Sequence, residues 1–196
     1  MSIPIPRSKP AASLATVLAA AEGAWKPGHT LPLPDFFVLA VRAYYRDSMG
    51  EPGVNDVSQY DDAFFIVSPL GFSAWNGNTD PSRYGWNPNA DKYMARLKTG
   101  CWTFIRRMHR GKYWAFGQGN NPVTVERLDS RGVVKVTETG CYGIDLHLGG
   151  VNGTSSEGCN TVPQEQWSAF DKELAATMKS LNETEFPFIL IDGPIN

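Results

Sequence analysis

Cys159 and His147 are the two side chains whose types and spacing point to covalent chemistry. His147 closes the alternating segment Ile144-Asp145-Leu146-His147, and Cys159 follows twelve residues later within Ser155-Ser156-Glu157-Gly158-Cys159-Asn160. The stretch between them, Leu148-Gly149-Gly150-Val151-Asn152-Gly153-Thr154, is built of glycine and small polar residues and is long enough to fold back and bring the pair together. A free thiol, with a pKa near ~8.5, is mostly protonated at neutral pH, so an adjacent imidazole is needed to accept its proton or to stabilise the thiolate as an ion pair. The sulfur then attacks an amide carbonyl and forms a thioester. Gly158 permits a tight turn that aims backbone amides near Cys159 at the developing oxyanion, where one donor is worth roughly 3–4 kcal/mol. Residues two apart on a strand share a face, which makes Asp145 a candidate to orient the imidazole. A backbone carbonyl within residues 148–150 is the other candidate, with Asp145 then merely solvated.

The remaining cysteines and histidines suggest less. Cys101 and Cys141 sit in strand-like settings with no histidine nearby and are expected in the core. Three cysteines without a Cys-x-x-Cys pair support neither a disulfide framework nor a cysteine zinc cluster, and no cofactor or metal is called for. His109, within Arg106-Arg107-Met108-His109-Arg110, is expected in a solvated basic turn, where Arg106, Arg107, Arg110 and Lys112 form one basic patch.

The elements that must position these groups follow from pattern. The chain has 196 residues, 42% of them hydrophobic, and a formal net charge of −2, which suits a folded domain and not a nucleic-acid groove or polybasic membrane surface. No apolar run approaches the ~20 residues of a membrane span, and the start lacks a charged and apolar leader. Residues 13–23 are a short helix. Residues 35–49 read as a second helix, with Asp35 as N-cap and Gly50 as its stop. Residues 62–67 and 72–75 flank Pro69-Leu70-Gly71 as a hairpin, and a loop rich in Asn, Gly and Pro spans 76–90, with Trp75, Tyr84 and Trp86 placed to line a groove. Strands follow at 101–106, 113–116, 123–128, 133–137 and 142–147. A helix then starts from Thr161 as N-cap, with Pro163 in the first turn, Gln164 completing a capping box and Trp167, Phe170, Leu174, Met178 and Leu181 on one stripe. A strand at 186–191 closes a fold expected to be mainly β with flanking helices, sandwich or barrel-like. Residues 1–55 form an N-terminal arm and helical prelude on one compact unit completed by residues 56–196.

His147-Leu148-Gly149-Gly150, followed by Ser156-Glu157-Gly158-Cys159, resembles the active-site signature of the L,D-transpeptidase catalytic domain, in which a histidine precedes a Ser/Thr-x-Gly-Cys element. Leu97-Lys98-Thr99-Gly100-Cys101-Trp102 is similar to that family's upstream Thr-x-x-Gly strand motif. Tyr44-Tyr45-Arg46-Asp47-Ser48-Met49-Gly50, Tyr60-Asp61-Asp62-Ala63 and Asn78-Thr79-Asp80-Pro81 resemble a set of phage and prophage proteins related to that domain and regarded as peptidoglycan-degrading.

The resemblance implies an L,D-transpeptidase-like sandwich or barrel with Cys159 as nucleophile, His147 as base and the amides of Gly158 and Cys159 near the oxyanion. Ser156 and Gly149 support the loop, and Asn78, Thr79 and Trp86 are carried as substrate-binding residues. The implied substrate is the peptidoglycan stem peptide, with hydrolysis by an endolysin-like lytic enzyme expected ahead of transpeptidation or a noncatalytic wall-binding or virion role. Synthesis in the bacterial host cytoplasm and action on the periplasmic wall, or carriage on the virion, follow from that reading. No nucleic acid, stable membrane insertion or particular protein partner is implied. Two departures stand out: the His-to-Cys spacing is short for a transpeptidase, and the arginine usual two residues after the cysteine is replaced by Thr161. A guanidinium there contacts a substrate carboxylate.

Overall fold

Apolar and β-branched runs through the middle of the chain pair into sheets, and one amphipathic helix packs on each side of the largest. The computed structural model describes residues 4–195. Along the chain these form α1 (Leu14–Trp25), β1 (Phe37–Arg42), β2 (Asp62–Ser68), β3 (Gly71–Gly77), β4 (Trp86–Asn87), β5 (Lys92–Tyr93), β6 (Ala95–Leu97) and β7 (Gly100–His109). Then follow β8 (Tyr113–Gln118), β9 (Val123–Leu128), β10 (Val134–Gly140), β11 (Asp145–Leu148), β12 (Asn160–Val162), α2 (Gln164–Leu181) and β13 (Glu185–Asp192).

Eight strands make one mixed sheet in the order β12-β11-β8-β7-β13-β1-β2-β3. Only β1 with β13 and β11 with β12 run parallel within it. Its two edges meet where Asn78, just past β3, and Thr161, in β12, exchange reciprocal backbone hydrogen bonds of 2.8 Å. The sheet is thereby nearly closed into a barrel. β10-β9-β6 and β4-β5 are small antiparallel sheets beside it.

The strand at 37–42 corrects the helix expected over 35–49. Phe37, Leu39 and Val41 pack with Val17 and Ala21 of α1, whereas Val38 and Ala40 point into the larger core. A strand buried on both faces shows a continuous apolar run without period-2 alternation, and its spacing passes for helical. β1, within the described part of residues 1–55, lies inside the sheet between β13 and β2. The larger core gathers Phe64, Phe104, Phe116 and Phe188 against the α2 stripe of Trp167, Phe170, Leu174 and Met178. Burying each such side chain contributes about 1.5–3 kcal/mol. Thr161 does not cap α2; it belongs to β12, and Pro163 occupies the cap position without a side-chain hydrogen bond. Among the described residues no helix is long and apolar enough to cross a membrane.

Candidate active site

Side-chain size on a single strand decides how the polar face is assembled. Along β7, β8 and β11 the registered pairs Arg107 with Ala115 and Gly117 with Asp145 share one sheet face, with His109 and His147 two residues further along their strands. β8 separates β7 from β11, yet beside Arg107 and Asp145 it offers only the small residues Ala115 and Gly117, with Tyr113 following at its start near the two histidines. A Cβ on Gly117 would lie 2.1 Å from Asp145 Oδ1 and 2.7 Å from the Ile144 carbonyl oxygen. Because those positions are small, side chains from β7 reach over β8 to β11. His109 Nδ1 donates to Asp145 Oδ2 at 2.7 Å, Arg107 Nε lies 3.6 Å from Asp145 Oδ1, and the rings of His109 and His147 stack with centroids 4.1 Å apart.

Asp145 therefore does not orient His147. The His147 ring is fixed by a 2.7 Å hydrogen bond between Nδ1 and the Leu148 carbonyl, the backbone alternative among the two expected. A carbonyl can only accept, so Nδ1 carries the proton and Nε2 is left as the basic nitrogen. The Tyr113 hydroxyl lies 3.3 Å from the same Nδ1.

Cys159 enters this face through the parallel pairing of β11 with β12. Leu146 is registered with Asn160 and His147 with Thr161, so the residue before Asn160 falls beside Asp145 and diagonal to His147. The Asp145 amide donates to Cys159 Sγ at 3.4 Å, and Sγ lies 3.7 Å from the Gly143 carbonyl oxygen. The loop ahead of the cysteine is held by Ser156. Its Oγ donates to the Cys159 carbonyl at 2.6 Å and accepts from the Gly158 amide at 3.0 Å, while Ser156 and Ser82 are joined by two further hydrogen bonds of 2.8 Å. Gly158 adopts φ +148°, and a Cβ there would stand 3.0 Å from the Ala95 carbonyl oxygen, so the close approach of the two backbones requires glycine. Gly149 plays a similar part beneath the loop, because a Cβ would meet the Tyr60 hydroxyl at 2.2 Å. That hydroxyl donates to the Gly150 carbonyl at 2.7 Å. On the other side Gln118 Oε1 accepts from the amides of Tyr142, Gly143 and Ile144 at 3.0–3.4 Å, which shapes the approach to Asp145.

Burial sets the protonation states. Desolvation, helped by the charge of His109 and opposed by the Leu148 hydrogen bond, lowers His147 to about 4. Cys159 keeps part of its surface open to the adjoining cleft, but the protein packed round its sulfur pushes the thiol up to about 12, against the opposing Asp145 amide and the positive charge of Arg110 and Arg107. The resting pair is thiol and neutral imidazole, not an ion pair. Asp145 is raised by desolvation and drawn back by the His109 hydrogen bond and by Arg107.

The cleft itself is about 400 Å³ and opens between the 87–95 segment, β7, residues 142–145 and the Glu157-Gly158-Cys159 turn. Arg107, Arg110 and Arg127 line it, as do His109 and Cys159; His147 does not reach its wall. A larger groove of about 520 Å³ beside α1 carries no cysteine or histidine.

Several sequence expectations are corrected here. Asn78 and Thr79 are fully buried at the barrel seam and offer no surface to a substrate. Trp86 is about half exposed, but it lies outside the cleft wall, paired with Tyr93 across β4 and β5 and packed edge-on against its ring, centroids 5.1 Å apart. His109 is buried rather than solvated, and strand alternation splits the basic patch. Arg106 turns toward Asp171 of α2 at 3.5 Å, whereas Arg107 faces Asp145 and Arg110 faces Glu157 at 3.7 Å. Cys101 is half-buried beside α1, and Cys141 is exposed instead of lying in the core; all three thiols are free. Trp75 is a core residue packed edge-on against Phe170, and Tyr84 donates to Asp80. The role of His109 had a signal in the sequence: Arg107-x-His109 and Asp145-x-His147 are matched alternations, with the small pair Ala115-x-Gly117 on the strand between. Comparison of the chain with family models, with curated proteins and with solved structures finds no match in any of the three.

Proposed function

We propose that this protein is a cysteine-dependent hydrolase of peptidoglycan stem peptides, with an L,D-transpeptidase-like active site, acting through a thioester on Cys159. The observation that carries the reading is the shared sheet face of Cys159 and His147, with Cys159 opening onto a cleft and the imidazole locked by the Leu148 carbonyl so that Nε2 is its basic nitrogen. With thiol and imidazole both neutral at rest, proton transfer accompanies attack: His147 takes the thiol proton as sulfur adds to the amide carbonyl. The Asp145 amide offsets charge on the sulfur. Ser156 already occupies the Gly158 amide, which leaves the amide of Cys159 as the oxyanion donor. Collapse expels the amine, and water releases the acyl group.

The chemistry of the cleft suits this substrate class. Stem peptides carry carboxylates, and three guanidiniums line the cleft although the usual arginine position is Thr161. Water is favoured over a second stem peptide as acceptor because the motifs resemble the lytic phage and prophage branch, an endolysin-like assignment. Incubation of purified peptidoglycan with the wild type and with Cys159→Ala, followed by mass spectrometry of the muropeptides, tests it. New peptide ends that require Cys159 are the expected result. New cross-links would make it a transpeptidase, and the absence of any Cys159-dependent product from several wall chemistries would leave a noncatalytic role.

A further inference from the structure

A cysteine acyl-transfer site needs two proton movements during acylation: one off the thiol and one onto the departing amine. With one histidine the same proton serves both. Here a second imidazole is built into the site. His109 is buried, its Nδ1 is held at 2.7 Å by Asp145 Oδ2, and its ring stacks on His147. It lines the cleft alongside Cys159, where the leaving group of a bound substrate must sit, whereas His147 does not.

Building on the reading of Cys159 as nucleophile and His147 as base, we propose that His109, held by Asp145, is a second catalytic histidine that protonates the leaving amine and later activates the hydrolytic water. His109 starts as imidazolium paired with the Asp145 carboxylate, and His147 starts neutral. In acylation His147 Nε2 takes the proton from Cys159, the S–C bond forms, the C–N bond breaks, and the amine nitrogen leaves with a proton from His109 Nε2. The acyl-enzyme then holds a charged His147 and a neutral His109. In deacylation His109 accepts a proton from water as the hydroxyl adds to the thioester carbonyl. The C–S bond breaks, and the departing sulfur recovers its proton from His147. Amide and water become acid and amine, and both histidines return to their starting states.

Stacking supplies the drive. Once His147 is charged, a second positive ring 4.1 Å away favours loss of the His109 proton to the nitrogen. The groups facing His109 are Asp145 and His147 of β11, Arg107 of β7, Tyr113 of β8, Arg110 of the following turn, and Cys159 and Glu157 of the loop before β12. Among the described residues Asp145 is the one carboxylate hydrogen-bonded to the ring.

Leaving-group dependence tests the assignment without presupposing the natural substrate. Acylation of Cys159 is measured by stopped-flow and by intact mass with 4-nitrophenyl acetate, whose leaving group departs without a proton, and with phenyl acetate, whose leaving group needs one more. Peptidoglycan serves as the amide substrate. For His109→Gln the expected result is a rate within about 3-fold of wild type on the nitrophenyl ester, a loss of about 10-fold or more on the phenyl ester, and about 10²-fold or more on peptidoglycan. His147→Ala is expected to lose on all three. An equal loss of His109→Gln on both esters, or no loss on either, overturns the proposal. A wild type that is acylated by both esters but leaves peptidoglycan intact overturns the substrate assignment instead, and the two esters still decide the role of His109.

Discussion

Among the described residues, two clusters of buried polar groups flank the seam where β12 approaches β3, and they differ in what closes them. In the first, Arg42 lies 3.4 Å from Asp80 and donates to the Thr79 hydroxyl at 3.1 Å and the Leu97 carbonyl at 2.8 Å. Asp62 accepts from the amides of Ala43 and Thr79, and Asp80 from Asn55 and Tyr84. Arg42, Asp61, Asp62, Thr79 and Asp80 are all buried, and the cluster is sealed by backbone. In the second, Asp145, His109, His147 and Cys159 are held as tightly but open onto a cleft lined by guanidiniums. Polar side chains of the same kinds make a clasp where protein covers them and a reactive face where a cleft does. Tyr60-Asp61-Asp62-Ala63 and Asn78-Thr79-Asp80-Pro81 belong to the clasp, which is why Asn78 and Thr79 have no exposed surface.

That contrast predicts opposite consequences for substitutions. The largest effect is on chemistry: Cys159→Ala abolishes product from peptidoglycan and His147→Ala lowers turnover by about 10²–10⁴-fold, while both melt within a few degrees of the wild type by circular dichroism. Asp80→Ala shows the reverse. It strands Arg42 without its nearest buried counter-charge and costs about 3–5 kcal/mol in denaturant unfolding. The residual folded fraction is expected to label at Cys159 as the wild type does.

Gly117→Ala sits between the two regimes. Its Cβ displaces the Asp145 carboxylate and presses on backbone, so a loss of about 1–3 kcal/mol is expected together with slower turnover. The pH dependence of stability separates the clusters further. His147 is lowered to about 4, so between about 6.5 and 4 the unfolded chain binds its proton first and stability is lost as pH falls. Asp61 is raised to about 7, chiefly by desolvation; its protonated form favours the folded state, and that contribution is lost as pH rises from about 4 through 7. Denaturant melts from pH 7 to pH 4 should therefore show Asp61→Asn losing more stability on acidification than the wild type, and His147→Asn losing less. The smallest effect belongs to Trp86→Ala, outside both clusters, with stability expected within about 0.5 kcal/mol of wild type. A large loss of activity in that variant would extend the reactive face beyond the cleft wall.

What the sequence disclosed follows the same division. Local patterns carried the hairpin, most strands, α1 and the stripe of α2, while the parallel register that sets Cys159 diagonal to His147 is a property of the folded sheet. β1 was hidden because both its faces are buried, and the clasp was hidden because, apart from Tyr84 and Asp80, its hydrogen-bonded partners lie 17 to 55 residues apart. His109 was hidden for a related reason. Its place at the end of β7 among three arginines looks solvated until the small side chains of β8 let it cross to Asp145. Ser156 and Gly158 were found as loop-shaping residues, but the capture of the Gly158 amide by Ser156 depends on the folded geometry of the turn.

The thioester on Cys159 is the central claim, and trapping it is the most direct measurement. The wild type is mixed with soluble muropeptides, quenched in acid during turnover, digested and mapped by mass spectrometry. A stem-peptide acyl group is expected on the Cys159 peptide, removable by hydroxylamine and absent from Cys159→Ala. Product formation with no adduct on Cys159, or with the adduct on Cys101 or Cys141, would contradict it.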